Sequence, residues 1–231
     1  MTFFSSYLDN SVVCVDNVLE QPDFSLLVKQ LEAPQSISPS IERTYGIWTK
    51  NTYNNPSQSR VIIWVGPHNK PSSPFSGIEL YPTDTRIDHV IDAARDIAVR
   101  TGIAGTFNKD WIAIMASRFD YGAAGGLMFH TDEVHYACAF SMYFHSEWKA
   151  DWGGHFLFSQ QDITRLEQGV FLTPLPNRMV LVRAGVPHSI SGVSAQASRP
   201  RQAITGFFVR PEHAFKLLEK HGDPANSAGH L

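Results

Sequence analysis

Residues that could bind a metal ion lie close together near the middle of the chain. His130 and Asp132 are two residues apart, so in an extended strand their side chains point to the same side. An imidazole and a carboxylate from one strand end, joined by one later histidine, form a facial triad that leaves adjacent positions open on non-haem Fe(II). A single His-x-Asp pair arises readily by chance, so this interpretation needs support from residues later in the chain.

Two later residues support the metal site. His188 follows a predicted strand, and Arg201 stands thirteen residues further on, at the start of another alternating segment. An arginine buried inside a β-sandwich is costly unless an anion pairs with it. A dicarboxylic co-substrate would supply that anion, because a guanidinium can hold a carboxylate through two hydrogen bonds. Arg199 is a competing candidate for the same role.

The order of these motifs resembles that of the Fe(II)/2-oxoglutarate-dependent dioxygenases, and most closely their prolyl-4-hydroxylase-like branch. The resemblance covers residues 111–210, a little under half of the chain. Its motifs are the His130-x-Asp132 pair, residues 152–158, residues 176–182, His188 and residues 201–207. Five motifs in the right order indicate the superfamily, whereas they say little about the substrate.

The resemblance implies a role for each matching polar residue. His130, Asp132 and His188 would be the iron ligands and the catalytic centre, and Arg201 would hold the distal carboxylate of 2-oxoglutarate. Arg201 is preferred to Arg199 because it stands six residues before a phenylalanine, where the family usually has an aromatic residue.

The resemblance also concerns aromatic residues and further histidines. Tyr143 matches a tyrosine whose hydroxyl assists co-substrate binding, and Tyr121 matches another position near the co-substrate, although a core aromatic is an equally good interpretation of Tyr121. We expect His135, His145 and His155 to lie outside the set of metal ligands.

The reaction is implied by the resemblance as well. Fe(II) would be the cofactor, 2-oxoglutarate and O2 the co-substrates, and ascorbate a supporting reductant, with release of succinate and CO2. The substrate would carry an unactivated C–H bond in an amino-acid-like, peptidyl (for example prolyl) or small biosynthetic molecule. The intact Asp132 favours hydroxylation, since halogenating members replace this carboxylate with a small residue. Desaturation, epoxidation and ring closure stay open.

Two other classes of function stay open on the sequence. A non-catalytic jelly-roll binding module would make His130 and Asp132 polar turn residues, but it leaves the coincidence with His188 and Arg201 unexplained. A zinc-dependent enzyme in a similar barrel could use the same three ligands. It is disfavoured because no residue indicates a general base beside the metal and because Arg201 would have no role.

The elements that would position these residues change in type along the chain. Apolar residues at helical spacing predict helices over residues 24–31 and 87–98. Later segments rich in β-branched and aromatic residues predict short strands separated by turns. These predicted strands are residues 111–119, 135–144, 155–158, 179–183, 189–193 and 203–209. Two earlier segments, residues 46–48 and 61–65, are further candidates. Helices followed by strands predict an α+β fold with an antiparallel core. The family implies a double-stranded β-helix, or jelly roll, flanked by N-terminal helices.

We predict a single domain over residues 1–231. It would comprise helical support and loops (1–105), a jelly-roll catalytic core (106–210) and a C-terminal helix and tail (211–231). Residues 49–59 and 66–77 are polar and rich in Pro, Ser and Asn. They predict two exposed loops, either plain connections or a lid over the site.

Composition narrows the classes of partner. The chain of 231 residues is 43% hydrophobic and has a net charge of −3, which suits a globular core and gives no basic field for nucleic acid. It shows no membrane-length apolar stretch and no signal-peptide pattern. Cys14 and Cys138 fit free thiols in a reducing compartment. We therefore expect a cytoplasmic protein with a small-molecule or peptidyl substrate and with neither nucleic-acid nor membrane partners.

Overall fold

The computed structural model describes residues 3–7, 10–32, 57–64, 78–80, 86–105, 112–132, 136–161 and 167–209. Within these ranges the chain forms two α-helices, α1 (Gln21–Glu32) and α2 (Ile87–Thr101). The strands within the same ranges are β1 (Phe3–Tyr7), β2 (Val12–Asp16), β3 (Ser57–Trp64), β4 (Ile78–Leu80), β5 (Ile112–Tyr121), β6 (Leu127–His130), β7 (Tyr136–Tyr143), β8 (Phe156–Phe158), β9 (Val170–Leu172), β10 (Arg178–Arg183), β11 (His188–Ile190) and β12 (Arg201–Val209).

The strands form two sheets. The larger has the order β1-β2-β10-β7-β12-β5-β3-β4, and the smaller has the order β6-β11-β8-β9. The described pairings are antiparallel apart from that of β3 with β4. Neighbouring strands are often far apart in sequence, as β2 and β10 are, which is typical of a jelly roll. The predicted α+β class, with a double-stranded β-helix core and N-terminal helices, is confirmed.

The central strands β2, β7, β10 and β12 of the larger sheet are largely buried on both faces. On one face, side chains such as Phe140 of β7 and Leu181 of β10 pack against both helices. On the other face, their neighbours along the same strands, such as Tyr143 and Val180, pack against Phe158 of the smaller sheet. Strands covered on both faces have nearly continuous apolar sequences. The helices therefore support the larger sheet from outside, and a second core lies between the sheets.

Helix α2 shows how the helical support is built. Its buried residues include the apolar stripe predicted from the sequence. Arg86 precedes the helix; its main-chain N–H donates to Oε1 of Gln30, and its guanidinium bonds to Asp23 at 2.9 Å, which joins α2 to α1. The helix ends at Gly102, whose φ of 65° is the left-handed conformation that favours glycine at this position.

The first 105 residues contribute strands to the larger sheet as well as helices and loops. Strands β1 and β2 form one end of it, and two hydrogen bonds of 2.5 and 2.8 Å between Arg178 and Asp16 reinforce the β2–β10 pairing. Residues 57–59, predicted to lie in an exposed loop, belong to β3. The other predicted loop residues, the predicted strand at 46–48 and the C-terminal segment 211–231 lie outside the described residues.

The two cysteines are buried free thiols on opposite faces of the larger sheet. Burial raises the pKa of Cys14 to about 11 and raises that of Cys138 as well. Neither thiol is therefore a nucleophile at neutral pH.

Among the described helices, none is both long and apolar enough to cross a membrane.

Candidate metal centre

The three predicted metal ligands come from two adjacent strands of the smaller sheet. His130 is the last residue of β6 and His188 is the first residue of β11, and the two are direct partners in the antiparallel pairing. Asp132 follows His130 by two residues, just beyond the strand end. The pairing of β6 with β11 therefore brings together residues that are 58 positions apart in sequence.

The three side chains converge on one small volume. Nε2 of His130 lies 3.9 Å from Oδ1 of Asp132, and Nε2 of His188 lies 3.7 Å from Oδ2 of the same carboxylate. One ligand atom from each residue lies within 4.8 Å of the other two. Ligand atoms bonded to one ion at about 2.0–2.2 Å lie at most about 4.4 Å apart, so small side-chain rotations suffice to bind it.

Main-chain carbonyls fix the tautomer of both histidines. Nδ1 of His130 lies 2.9 Å from the carbonyl oxygen of Met128, and Nδ1 of His188 lies 2.8 Å from that of Val186. A carbonyl oxygen can only accept a hydrogen bond, so each Nδ1 carries the proton and each Nε2 presents a lone pair towards Asp132. A hydrogen bond from the other ring nitrogen is the usual support of a metal-binding histidine.

Burial keeps both imidazoles uncharged. Burial lowers the pKa of His188 to about 4. It is also the main cause of the lowered pKa of His130, to which repulsion from a protonated His188 adds. The ring of Phe156 stacks against His188 with 5.4 Å between centroids and forms an apolar wall. Neutral imidazoles bind metal ions whereas imidazolium ions do not, so the cluster is in its binding form at neutral pH.

Arg201, the first residue of β12, is almost completely buried, with 1% of its surface exposed. Its guanidinium carbon lies 4.8 Å from the ring centroid of Tyr143 and 5.5 Å from that of Tyr121. Nε donates to the carbonyl oxygen of Gly154 at 2.8 Å. Nη2 and the hydroxyl of Tyr143 are also buried, and neither makes a hydrogen bond of normal distance and angle to a residue that the structure describes. A cation and a hydroxyl left in this state fit the carboxylate of a bound ligand.

Both tyrosines beside Arg201 are held in the protonated form. Burial raises the pKa of Tyr121 to about 12 and also raises that of Tyr143, although the positive charge of Arg201 opposes both shifts. The two hydroxyls can therefore donate hydrogen bonds at any physiological pH.

Arg199 lies outside this pocket. It precedes β12, its guanidinium contacts the hydroxyl of Ser146, and it lies 3.6 Å from the carboxylate of Glu147. Its side chain is 31% exposed, so its charge is solvated and shared with a surface carboxylate. The two competing arginines are thus separated by environment, and the geometry favours Arg201.

The other described histidines lie apart from the metal cluster. His145 is fully buried; Nε2 donates to a main-chain carbonyl, and Nδ1 accepts the N–H of Gln202 at 3.5 Å. Both of its nitrogens are therefore used in the core. His155 packs against the ring of Phe171, with 4.9 Å between centroids. His135 lies outside the described residues.

Gly154 has a role that no sequence pattern assigned to it, since its carbonyl accepts the hydrogen bond from Arg201. The available signal was the adjacent pair Gly153–Gly154, because consecutive glycines mark a turn. Both residues have positive φ values in the structure.

We expect His145 to reduce the stability of the fold as the pH falls below neutral. Burial lowers its pKa from 6.5 to about 4, so between these values the unfolded chain binds more protons and unfolding is favoured. Between pH 7 and pH 5 this residue should lower the free energy of unfolding by about 2 kcal/mol. Urea unfolding should show a smaller pH difference in His145→Gln than in the wild type. An unchanged difference would contradict the assignment of a neutral, buried His145.

Comparisons with known proteins bear on both the site and the fold. Residues 116–209 match the model of the 2OG-Fe(II) oxygenase superfamily. Among solved structures, the chain is similar to a Pseudomonas putida prolyl-4-hydroxylase (TM-score 0.55, 14% identity, 87% of this chain and 92% of that chain). It is also similar to a prolyl hydroxylase from Trichoplax adhaerens in complex with a peptide fragment of hypoxia inducible factor (TM-score 0.62, 15% identity, covering 90% of this chain and 87% of that chain).

A further similar structure is the non-heme alpha ketoglutarate dependent epimerase SnoN from nogalamycin biosynthesis (TM-score 0.57, 11% identity, 86% of this chain and 77% of that chain). No protein of curated function matches the sequence significantly. At these identities the similar structures show the fold, whereas the family model also includes the segment that contains His130, Asp132, His188 and Arg201. The resemblance found in the sequence is confirmed, since residues 116–209 match the model of the 2OG-Fe(II) oxygenase superfamily and the similar structures share the fold.

Proposed function

We propose that this protein is an Fe(II)- and 2-oxoglutarate-dependent oxygenase that hydroxylates an unactivated C–H bond and releases succinate and CO2. The observation that carries the proposal is the convergence of His130, Asp132 and His188 beside a core that also buries Arg201. A metal site alone would suit many enzymes, but a buried guanidinium with an N–H that no described residue accepts suits a dicarboxylate co-substrate.

The two halves of the site share one core. Tyr143, which contacts Arg201, belongs to the cluster between the sheets. Phe156, which stacks on His188, belongs to the same cluster. A ligand that contacts the metal at one end and Arg201 at the other would therefore lie between the sheets, where apolar side chains exclude water.

The residues present fit an iron ion. His130 and His188 would each bind it through Nε2, and Asp132 would bind through a carboxylate oxygen, which leaves positions for ligands that the protein does not supply. When bound, Fe(II) supplies O2 activation coupled to decarboxylation of the 2-oxo acid. The protein supplies the three ligands, their neutral protonation state and the surrounding apolar wall.

The residues around Arg201 would bind the other end of 2-oxoglutarate. Nη2 of Arg201 and the hydroxyl of Tyr143 are the buried groups that would donate to its distal carboxylate, the first through a charge-assisted hydrogen bond. Tyr121 packs against the guanidinium of Arg201 and would keep the plane of that group in a fixed orientation.

We propose an amino-acid-like or peptidyl substrate, for example a prolyl residue. Support comes from the similar prolyl hydroxylase in complex with a peptide. A small biosynthetic substrate is the second candidate, supported by the similarity to an epimerase from a biosynthetic pathway. Hydroxylation is favoured over halogenation because Asp132 keeps its carboxylate in the metal cluster. We place the reaction in the cytoplasm, where the thiols of Cys14 and Cys138 would stay reduced.

Anaerobic spectroscopy tests the proposal directly. Adding Fe(II) and then 2-oxoglutarate to the purified protein should produce a weak charge-transfer band in the visible range. The band should be absent when either component is left out or when Zn(II) replaces Fe(II). Release of succinate and uptake of O2 would then identify substrates. If the band is absent and calorimetry detects no 2-oxoglutarate binding, the proposal is wrong, and a binding module or a zinc enzyme becomes the better interpretation.

A further inference from the structure

We propose that Gly154 is a positioning residue for the co-substrate, because its main-chain carbonyl sets the orientation of the Arg201 guanidinium. The bend of residues 152–155, here called the glycine bend, would also join this guanidinium to the strand that carries His188. The inference rests on the proposed function, since it takes Arg201 as the group that binds 2-oxoglutarate.

Within the described part of the chain, the Arg201 side chain is restrained by a hydrogen bond and by contacts with two aromatic rings. Nε donates to the carbonyl oxygen of Gly154 at 2.8 Å, and the rings of Tyr121 and Tyr143 pack against the guanidinium. A guanidinium is planar, with its donors in fixed directions. With Nε bonded to Gly154, the edge that includes Nη2 is left to receive a carboxylate. Without that bond the positive charge of Arg201 would remain, but its N–H groups would no longer be held in a fixed direction towards the carboxylate.

The structure favours glycine at position 154 for two independent reasons. Its φ is +64°, a left-handed conformation that strains any residue with a Cβ. A Cβ would also lie 3.0 Å from Cδ of Arg201, 3.2 Å from Cζ2 of Trp148 and 3.3 Å from Cγ2 of Val193. A Cβ at this position would therefore press on three neighbours, and the shortest of these contacts is with the Arg201 side chain.

The glycine bend is bonded to the segment that follows β11. Gly153 forms an isolated bridge with Val193. The other main-chain hydrogen bonds are from the N–H of Gly154 to Gly192 (3.3 Å), from Ser194 to Trp152 (2.8 Å) and from Ser191 to His155 (3.0 Å). Because β11 begins at His188, this bend connects a metal ligand to the carbonyl that holds Arg201. The span between the metal and Arg201, which the co-substrate must match, is thereby set by the bend.

Gly154→Ala tests the inference through binding. Calorimetry under anaerobic conditions should show that the Kd of the Fe(II)-loaded protein for 2-oxoglutarate rises about 10- to 100-fold, by analogy with the loss of an outer hydrogen-bond partner of a metal ligand. The Kd for Fe(II) should stay within about two-fold. Gly102→Ala is the matched control, because the φ of Gly102 is +65° and a Cβ added there would have no neighbouring atom within 4 Å. This control carries similar backbone strain without touching Arg201, and should leave 2-oxoglutarate affinity unchanged.

A double-mutant cycle separates positioning from a general structural defect. Arg201→Lys keeps the positive charge but has no Nε to bond Gly154 while the side chain binds a carboxylate. Lysine keeps Cδ, so its contact with the new Cβ remains, but it has no Nε–H for the carbonyl to orient. In that background, adding Gly154→Ala should therefore raise the Kd for 2-oxoglutarate by a clearly smaller factor than it does beside Arg201. A general defect would instead weaken binding by the same factor in both backgrounds.

The outcomes distinguish this inference from the proposed function. If the wild type does not bind 2-oxoglutarate, the proposed function itself is overturned. If the wild type binds it and Gly154→Ala binds it equally well, or if the effects of Gly154→Ala and Arg201→Lys simply multiply, only the positioning role of Gly154 is overturned.

Discussion

Asp132→Ala should abolish succinate formation in a protein that still folds. Asp132 is the only carboxylate in the His130–Asp132–His188 cluster within the described part of the chain, so its loss leaves two neutral ligands and removes the negative charge that offsets the metal. We expect turnover to fall by more than about 100-fold, beyond the effect of losing an outer partner of a metal ligand. His188→Ala should have the same effect.

Folding and metal binding must be measured separately for this test. The imidazoles keep their hydrogen bonds to the carbonyls of Met128 and Val186 in the Asp132 variant. We therefore expect the Tm of the metal-free variant to lie within about 4 °C of the wild type, equivalent to ~1 kcal/mol for a chain of this size. Fe(II) should raise the Tm of the wild type but not of the variant. Asp96→Ala removes an exposed carboxylate of α2 and is the control. Full turnover by Asp132→Ala would contradict the triad.

Removing the charge of Arg201 should weaken 2-oxoglutarate binding far more than iron binding. Truncating one partner of a buried, hydrogen-bonded charge pair costs about 2–5 kcal/mol, so we expect Arg201→Ala to raise the Kd for 2-oxoglutarate by more than about 30-fold. Arg201→Met is the cleaner variant, because it keeps much of the volume of this buried side chain and removes only the charge and the donors. The Kd for Fe(II) should be nearly unchanged, because Arg201 is not part of the metal cluster.

Arg199→Ala is the matched control for Arg201. It removes a guanidinium two residues away that is partly exposed and lies beside Glu147, and such surface pairs contribute little. Calorimetry should find wild-type affinity for 2-oxoglutarate in this variant. If Arg199→Ala weakens binding and Arg201→Met does not, the site has been assigned to the wrong arginine.

Local sequence patterns were sufficient wherever the chemistry depended on near neighbours. The spacing of His130 and Asp132 predicted side chains on one side of a strand end, and the apolar stripe of α2 predicted a helix packed on one face. The strands β7 and β10 were also predicted, because a run of apolar, β-branched and aromatic residues indicates a strand regardless of its partners.

Pairings between distant segments were not predictable in the same way. The position of β1 and β2 in the larger sheet depends on the register of β2 with β10, which no local pattern specifies. The short strands β6 and β9 contain only four and three residues and were missed, since so short a segment shows no clear alternation.

The sequence by itself determined the types of ligand and their order along the chain, because these follow from residue identity and from spacing on one strand. Only the tertiary structure brought His188 opposite His130, through the β6–β11 pairing. It also separated Arg201 from Arg199. Residues two apart point the same way on a strand, so alternation could not choose between them, whereas the start of β12 at Arg201 buries that side chain and leaves Arg199 at the surface.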